Sequence, residues 1–229
     1  LEKAKEVAAH FPPKAEQLAA HFWPGSLTLI LPKSPLISDS ITAHQPTVAI
    51  RIPNHPITLH LLQTLDFPIA APSANRFGQV SPTCSKDVQD EIGRYLSEND
   101  LILEGGQSEI GIESTIIDCT SNRPQILRSG GISKFDLEEI GKIEIAKSDG
   151  DSRAPGMLEK HYAPKCRVEL AETSDLAQTI FNSLIQNGLT ASVLDYSSDV
   201  IFYAQELYAS LRRADSLNID VVVAVMPAN

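Results

Sequence analysis

The residues best able to bind a ligand are concentrated in one loop, Ala71–Gly78, with Ser81 shortly after it. The loop reads Ala-Pro-Ser-Ala-Asn-Arg-Phe-Gly and so brings a hydroxyl, an amide and a glycine to the end of a predicted strand. Such groups can donate hydrogen bonds to phosphate or carboxylate oxygens, where strand ends also expose backbone N–H groups. Serine, asparagine and glycine also occur in any turn-rich loop, so on this pattern alone an ordinary loop is the simpler interpretation.

Two arginines lie at predicted strands, where each could bind an anion. Arg51 falls inside the apolar run Thr47–Ile52, where a guanidinium is costly to bury unless it meets an anion or several acceptors. A substrate carboxylate and a structural ion pair explain it equally well. Arg128 follows another predicted strand and is succeeded by Ser129-Gly130-Gly131, which supplies the flexible backbone of an anion cradle. A simple turn is the safer interpretation there.

Several well-known catalytic patterns are absent from the sequence. It contains no G-x-x-x-x-G-K-[ST] phosphate loop, no G-x-G-x-x-G after a strand and no G-x-S-x-G nucleophile elbow. The histidines and cysteines lack the spacing of a zinc site, so no metal site is predicted: they are His10, His21, His44, His55, His60, His161, Cys84, Cys119 and Cys166. No acid–base pair is evident, so an enzyme with this sequence would work by positioning and charge stabilisation, as in nucleotidyl transfer.

The composition is that of a folded, acidic globular protein. The chain has 229 residues, 42% hydrophobic and 21% charged, which predicts one or two domains, with two the better fit. A net charge of −10 argues against a broad basic face for nucleic acid, although a few local cations can still bind the phosphates of ATP. Three separated cysteines fit a reducing compartment, and no apolar run approaches the ~20 residues that span a bilayer. We therefore expect a cytoplasmic protein without a membrane segment.

Hydrophobic periodicity predicts alternating helices and strands up to residue 141. Residues 1–22 show helical spacing interrupted by Pro12-Pro13, which predicts two short helices. Asn54 is expected to cap a third helix, with Pro56 in its first turn and an apolar face of Ile57, Leu61, Leu62 and Leu65. A further helix is predicted at 84–96, and strands at Leu27–Leu31, Thr47–Ile52, Pro68–Ala71, Leu101–Leu103, Ser114–Asp118 and Gln125–Leu127. This alternation indicates an α/β or α+β fold.

The second half of the chain predicts a different unit. Residues 142–165 have the polar composition of a linker, yet they include distinctive Pro-Gly-Met and His-Tyr-Ala-Pro segments. After Cys166, strands near 167–170, 191–195 and 219–225 alternate with helices at 174–187 and 200–216. This β-α-β-α-β series predicts a small doubly wound, Rossmann-like domain with a parallel sheet. We thus predict a first domain over 1–141, a linker over 142–165 and a C-terminal domain over 166–229.

Several segments together resemble the YrdC-like family of threonylcarbamoyl-adenylate synthases. They occur in the order Phe22–Thr28 (FWPGSLT), Val48–Pro56 (VAIRIPNHP), Ala71–Asn75 (APSAN), Glu113–Asp118 (ESTIID) and Arg128–Gly131 (RSGG). Ala154–Met157 (APGM) and His161–Pro164 (HYAP) resemble the linker of the two-domain members. The resemblance covers essentially the whole chain and implies an α/β fold: a YrdC-like twisted mixed sheet with helices, followed by the small Rossmann-like domain.

The resemblance also implies a reaction and a set of binding residues. Threonine, bicarbonate and ATP would combine to threonylcarbamoyl-AMP with release of pyrophosphate, and Mg²⁺ would accompany the nucleotide. The product would feed threonylcarbamoyladenosine synthesis in tRNA through downstream transfer machinery. Threonine would be bound by Arg51, through its carboxylate, with Ser114 and the backbone of Ala71. ATP would be bound by Thr47, Ser73, Asn75, Ser81 and Arg128, with His161 and Tyr162 closing over it as a lid that excludes water. No catalytic residue distinct from these binding residues is implied.

The sequence departs from that family in one respect. Members carry, ahead of the first matching segment, a P-T-E-T-x-Y-G-L-type threonine-site motif and a K-x-R motif whose cations face the triphosphate, and neither occurs here. The chain also opens without an initiator Met and stops just after a strand-like run, which favours truncation at both ends. A fragment without those cations is expected to be catalytically weak or inactive. The alternative function is a non-catalytic nucleotide- or RNA-binding module of the same fold.

Overall fold

The computed structural model describes residues 2–147 and 163–227 and shows alternating helices and strands. The helices are α1 (Glu2–Val7), α2 (Pro13–Phe22), α3 (Pro56–Thr64), α4 (Ser85–Ile92), α5 (Lys134–Glu139), α6 (Ser174–Gln186) and α7 (Val200–Ser216), with a 3₁₀ turn at Gly93–Tyr95. The strands are β1 (Leu27–Pro32), β2 (Thr47–Ile50), β3 (Thr115–Asp118), β4 (Gln125–Arg128), β5 (Ala146–Lys147), β6 (Arg167–Ala171), β7 (Ala191–Leu194) and β8 (Val221–Val225). They form two compact units. The first unit comprises residues 2–72 and 113–147, and the second comprises 73–112 and 163–227.

The first unit is built on a mixed five-stranded sheet in the order β2-β1-β3-β4-β5. Strand β1 pairs antiparallel with β2 and parallel with β3. Strand β4 continues the sheet, antiparallel to β3 and parallel to β5. All residues of β1 from Leu27 to Leu31 are buried, which is expected for an inner strand whose two faces are both covered. The predicted mixed sheet is confirmed.

Helix α2 supplies much of the core that covers this sheet. Pro12 precedes it and Pro13 occupies its first turn, so the predicted break between two short helices is confirmed. Ala15, Leu18 and Ala19 form its buried face. They pack in one cluster with the inward residues of β1 and β3 and with α5: Leu27, Leu29, Leu31, Ile117 and Leu137. This packing places the ends of β1 and β3 side by side.

The C-terminal part of the second unit is a three-stranded parallel sheet in the order β6-β8-β7. Strand β8, the last in sequence, lies in the middle, and all five of its residues are buried. Helices α6 and α7 connect the strands, and each begins after a side-chain cap, Thr173 or Asp199, that accepts from backbone N–H groups. The predicted β-α-β-α-β series with a parallel sheet is confirmed.

The second unit also contains residues 73–112, which are distant from the C-terminal sheet in sequence. Val80 is 2% exposed and belongs to the same core cluster as Leu194, Leu211 and Val222. A Cβ on Gly111 would lie 1.9 Å from the carbonyl oxygen of Gln205 in α7, so the two backbones pack directly against each other. Both compact units are therefore discontinuous in sequence. The predicted domain boundaries at 141/142 and 165/166 stay a prediction.

Two predicted strands, Pro68–Ala71 and Leu101–Leu103, are wrong. Neither run belongs to a strand, and Ile69 and Leu101 are 44% and 84% exposed. A β-rich run becomes a strand only where a neighbouring backbone completes its hydrogen bonds. Within residues 2–147 and 163–227 neither run has such a neighbour.

Helix α3 differs in detail from the prediction. It begins after His55 instead of the predicted cap Asn54, and no side chain caps its first turn. Pro56 lies in that turn as predicted. None of its residues is buried, and Ile57 is 40% exposed, so its apolar face is only partly covered.

The cysteines do not constrain this fold, because Cys84, Cys119 and Cys166 are all free thiols. Burial raises the pKa of Cys119 to about 12 and that of Cys166 to about 11, with nearby aspartates adding to both shifts. These two thiols therefore stay protonated at neutral pH and pack as small apolar side chains. Of the helices that the structure describes, none has the length and apolar character needed to cross a membrane.

Candidate functional site

The turn between α2 and β1 holds the side chain of Arg51. The Trp23–Pro24 peptide bond in this turn is cis, and Gly25 follows it. The Gly25 N–H donates to the carbonyl oxygen of Ile52 at 2.8 Å, and the Gly25 carbonyl accepts from Arg51 Nε at 2.8 Å. A Cβ on Gly25 would lie 2.3 Å from the carbonyl oxygen of Phe22, so this turn requires glycine. The turn thus orients the guanidinium through one of its nitrogens.

The rest of the Arg51 guanidinium is suited to a carboxylate. Its two Nη nitrogens make no hydrogen bond to residues 2–147 or 163–227, and the residue as a whole is exposed. Burial of the guanidinium lowers the pKa of Arg51, while the Glu113 carboxylate opposes that shift and the Arg128 cation adds to it. Arginine stays charged in proteins, so the oriented fork offers two parallel charge-assisted hydrogen bonds to an anion.

A second group, formed by Thr28, Ser114 and Arg128, lies at the ends of β1, β3 and β4. Ser114 is 6% exposed, and its hydroxyl oxygen lies 2.8 Å from Thr28 Oγ1 and accepts from Arg128 Nη2 at 3.0 Å. Arg128 also donates from Nη2 and Nε to the Ser114 carbonyl at 2.9 and 3.1 Å. Its Nη2 lies 3.5 Å from Glu113 Oε2. These contacts hold the Ser114 hydroxyl in place.

The Arg-Ser-Gly-Gly segment packs closely against the start of β3. The Gly131 N–H donates to the Glu113 carbonyl at 3.0 Å. A Cβ on Gly130 would lie 2.3 Å from the Glu113 carbonyl oxygen and 2.5 Å from Thr115 N, so the approach requires glycine. Gly130 therefore has a packing role beside Ser114. This packing explains the glycine without any bound anion.

The remaining predicted residues of the first unit, Thr47 and Ala71, are less constrained. Thr47 begins β2 opposite Pro32 and is half-buried. Ala71 is exposed and lies outside any helix or strand. Neither position by itself indicates a ligand.

Three of the predicted ATP-binding residues, Ser73, Asn75 and Ser81, lie in the second unit. Ser73 is exposed, and Ser81 is 8% exposed. Asn75 Nδ2 donates to the carbonyl oxygens of Arg76 and Gln79, both at 3.0 Å, and so closes the turn between them. Asn75 Oδ1 is buried and has no hydrogen-bond partner in the part of the chain that the structure describes. A buried acceptor in this state is costly, and a donor from a ligand would satisfy it.

The predicted lid residues, His161 and Tyr162, lie outside the described residues. The next residue in sequence, Ala163, donates from its backbone N–H to the Gly78 carbonyl at 3.0 Å. Gly78 has a φ of 82°, a left-handed conformation that glycine adopts without strain. The loop that carries Ser73 and Asn75 is therefore hydrogen-bonded to the residue that directly follows the predicted lid pair.

The first unit brings two predicted residues, Ser114 and Arg128, into contact, and the charge of Arg128 also acts on a third, Arg51. Sequence reasoning missed two of their partners, Thr28 and Glu113. A signal for Thr28 exists, because a threonine within a buried apolar strand needs a hydrogen-bond partner. Glu113 gives no such signal, since a carboxylate before a strand is ordinary until the fold brings Arg128 beside it.

The candidate site is defined by the side chains described above. No group of three or more His, Cys, Asp or Glu side chains suited to a metal ion occurs among the described residues. A cavity of about 150 Å³ is lined by Lys3, Glu6, Val7, Leu36, Ile37, Asp66, Phe67 and Pro68. It contains no predicted site residue, and it is smaller than the ~300–1,000 Å³ of typical ligand pockets.

Two family models match consecutive parts of the chain. The Sua5/YciO/YrdC model, described as Telomere recombination, matches residues 1–130. A model described as the C-terminal domain of threonylcarbamoyl-AMP synthase matches residues 132–229. The first match includes every predicted binding residue except His161 and Tyr162, which fall in the second.

Curated relatives and a solved structure are similar along nearly the whole chain. The threonylcarbamoyl-AMP synthase of Pyrococcus abyssi is 38% identical, covering 98% of this chain and 72% of that protein. The Bacillus subtilis protein of the same name is 36% identical, covering 98% of this chain and 71% of that protein. The crystal structure of P. abyssi Sua5 complexed with L-threonine matches with a TM-score of 0.86 and 35% identity, covering 98% of this chain and 72% of that one.

Proposed function

The chain belongs to the Sua5/YciO/YrdC family of threonylcarbamoyl-AMP synthases, and on that basis we propose that it forms threonylcarbamoyl-AMP from threonine, bicarbonate and ATP. Pyrophosphate leaves as the adenylate forms, so the enzyme is a nucleotidyltransferase. A downstream transferase then moves the threonylcarbamoyl group to an adenosine of tRNA. The net charge of −10 supports an indirect link to tRNA, because a nucleic-acid backbone is bound mainly by Lys and Arg.

The observation that carries this proposal is the Arg51 guanidinium. It is oriented by the Gly25 carbonyl at Nε, while both Nη nitrogens have no hydrogen-bond partner among the described residues. A planar fork of this kind binds a carboxylate through two parallel hydrogen bonds, and we assign it to the carboxylate of threonine. The buried Ser114 hydroxyl and the Ala71 backbone are the other proposed threonine contacts.

ATP is proposed to bind as its Mg²⁺ complex, and the residues proposed to contact it are Thr47, Ser73, Asn75, Ser81 and Arg128. Mg²⁺ is usually held by substrate phosphates and water with few protein ligands, so it does not require a cluster of carboxylates. The unsatisfied Asn75 Oδ1 suits a donor such as a ribose hydroxyl or the adenine amino group, and does not suit a phosphate oxygen. The family resemblance is the basis for proposing His161 and Tyr162 as further ATP contacts, which would keep water from the adenylate.

We propose that the reaction takes place in the cytoplasm. Free thiols at Cys84, Cys119 and Cys166 support a reducing compartment. The alternative function is a non-catalytic nucleotide- or RNA-binding module, which would have no affinity for threonine. The threonine titration that tests Arg51 therefore also distinguishes this module from the synthase.

The test is calorimetric titration of threonine into the wild-type chain and into Arg51→Lys. Lysine keeps the charge but loses the fork, and hydrogen bonds to charged groups contribute about 1.5–3 kcal/mol, so Kd should rise about ten- to a hundredfold. Arg123→Lys is the matched control, because Arg123 is exposed and belongs to the same unit. Threonine-dependent release of pyrophosphate from ATP is measured beside it, but the titration decides the test, because a chain without the K-x-R motif is expected to have weak or no activity.

Two results would overturn the proposal. A wild-type chain that binds RNA but no threonine would favour the non-catalytic module. Equal threonine affinity in wild type and Arg51→Lys would remove Arg51 from the threonine site.

A further inference from the structure

One arginine of helix α7, Arg212, contacts the stretch 73–112 through all three of its guanidinium nitrogens. Nη1 donates at 2.8 Å to the carbonyl of Val80, the residue before Ser81, and Nη2 donates at 3.2 Å to the carbonyl of Asp87. The Glu91 carboxylate lies 3.4 Å from both Nη nitrogens. Asp87 Oδ1 lies 3.4 Å from Nε, an ion-pair contact in which Nε makes no hydrogen bond to the described residues. Only 14% of the Arg212 side chain is exposed. The guanidinium is therefore largely buried among acceptors of this stretch.

The two carboxylates that Arg212 contacts also hold the loop formed by residues 73–83, which we call the nucleotide loop. Asp87 Oδ2 accepts from the N–H and Oγ1 of Thr83 at 2.9 and 3.1 Å. Glu91 Oε1 accepts from Arg76 Nε at 2.9 Å. Arg212 is thus linked to the nucleotide loop at two points, through Asp87 to Thr83 and through Glu91 to Arg76.

Both carboxylates are stabilised in their charged form. Burial opposes ionisation of Asp87, but the hydrogen bonds from Thr83 and the charge of Arg212 outweigh it and lower the pKa of Asp87. Burial likewise opposes ionisation of Glu91, and the hydrogen bonds from Arg76 with the charge of Arg212 lower its pKa. A buried cation shared by two anions leaves uncompensated charge when it is removed.

Helix α7 provides a fixed support for this network. Leu211 and Ala214, on either side of Arg212, are buried in the core of the second unit together with Val80. Asp215 accepts from the backbone N–H groups of Lys165 and Cys166 at 2.9 and 3.0 Å. The backbone that carries Arg212 is therefore anchored by apolar packing and by hydrogen bonds.

We propose that Arg212 is a positioning residue for ATP binding, which holds the nucleotide loop in its binding conformation through Asp87 and Glu91. The proposal rests on the proposed function, because it takes the nucleotide loop to bind ATP. It gives the C-terminal part of the chain a direct role in nucleotide affinity. Arginine is required for geometric reasons, since lysine is a single point of charge and cannot donate to the Val80 and Asp87 carbonyls from separate nitrogens while it also contacts two carboxylates.

The test compares the affinities for MgATP and for threonine in the full chain by calorimetry, each ligand titrated alone. Arg212→Ala should raise the Kd for MgATP about ten- to a hundredfold, because small misplacement of binding groups has effects of that order, while the Kd for threonine stays unchanged. Arg212→Lys should recover part of the loss. Arg213→Ala is the matched control, because Arg213 is the exposed neighbour on α7 and makes no ion pair with any described residue. Hydrogen exchange of residues 73–83 should speed up in Arg212→Ala alone.

The outcomes distinguish failure of the proposed function from failure of the positioning role of Arg212. A wild-type chain that does not bind MgATP overturns the proposed function and this role of Arg212 together. Wild-type binding that Arg212→Ala leaves unchanged overturns the positioning role alone. Equal losses for MgATP and threonine would make Arg212 merely structural and would also overturn it. If Arg212→Ala does not fold, Glu91→Gln, which keeps the side-chain shape, must show the selective loss of MgATP affinity.

Discussion

The two groups of proposed binding residues are held in place by different kinds of interaction. In the first unit, Ser114 and Arg128 lie at the ends of paired strands, and the Gly25 turn orients Arg51. In the second unit, Asn75 and the rest of the nucleotide loop lie outside any strand, and buried charges connect the loop to α7. We therefore expect the conformation of the binding residues in the first unit to be disturbed by crowding of the backbone, and that of the nucleotide loop in the second unit by loss of a buried charge.

The largest expected effect comes from removing the cation of the second unit. Arg212→Ala leaves Asp87 and Glu91 without a largely buried partner, and breaking a buried pair costs about 3–5 kcal/mol. Denaturant-dependent hydrogen exchange should show the loss across residues 73–112 and 163–227. Arg213→Ala should not change stability, and equal losses for the two substitutions would contradict the comparison.

A smaller effect is expected from crowding the first unit. Gly130→Ala places a Cβ against the Glu113 carbonyl and pushes the start of β3 away, at a cost of about 1–3 kcal/mol. The only tryptophan, Trp23, lies in this unit, so urea unfolding followed by its fluorescence reports the change. Ser129→Ala, at the exposed neighbouring residue, is the control. An unfolding midpoint that Gly130→Ala leaves in place would show that the backbone there can yield.

Substitution of one serine in each group tests whether the two groups bind different ligands. Ser114→Ala removes the hydrogen-bond partner of Thr28 and Arg128, so we expect about 1 kcal/mol of lost stability and weaker threonine binding. Ser81→Ala should weaken MgATP binding and leave threonine binding unchanged. Calorimetry of both ligands with both variants provides the crossed measurement. Equal effects of each serine on both ligands would argue against separate roles for the two groups.

The smallest expected effect is on the pH dependence of stability. The pKa values of Asp87 and Glu91 are lowered from their ordinary 3.8 and 4.5, so their charged forms stabilise the fold above those values. This contribution is lost as the pH falls through the lowered pKa values, below about pH 4. Arg212→Gln should flatten that part of the stability profile, measured by urea unfolding at a series of pH values. Parallel profiles for wild type and variant would count against the network.

Elements with local hydrogen bonds were predictable from the sequence. Helix α7 is predicted at 200–216 and observed at Val200–Ser216, because apolar periodicity acts within a few turns of one segment. The break at Pro12-Pro13 is local for the same reason, since proline removes a donor from its own helix. The strands predicted at 68–71 and 101–103 failed because strand formation depends on a neighbour that the segment itself does not encode.

Which chemical groups are available, and in what order, follows from the sequence alone: the Arg51 guanidinium, the hydroxyls of Ser73 and Ser114, and a glycine at 130. The packing of residues 73–112 with 163–227, and the contacts of Arg212 with Asp87 and Glu91, are visible only in the folded chain. The difference arises from the distance along the chain over which each interaction acts. Side-chain chemistry and periodicity are properties of short segments, whereas strand pairing and buried ion pairs join distant segments and take their strength from burial in the folded chain.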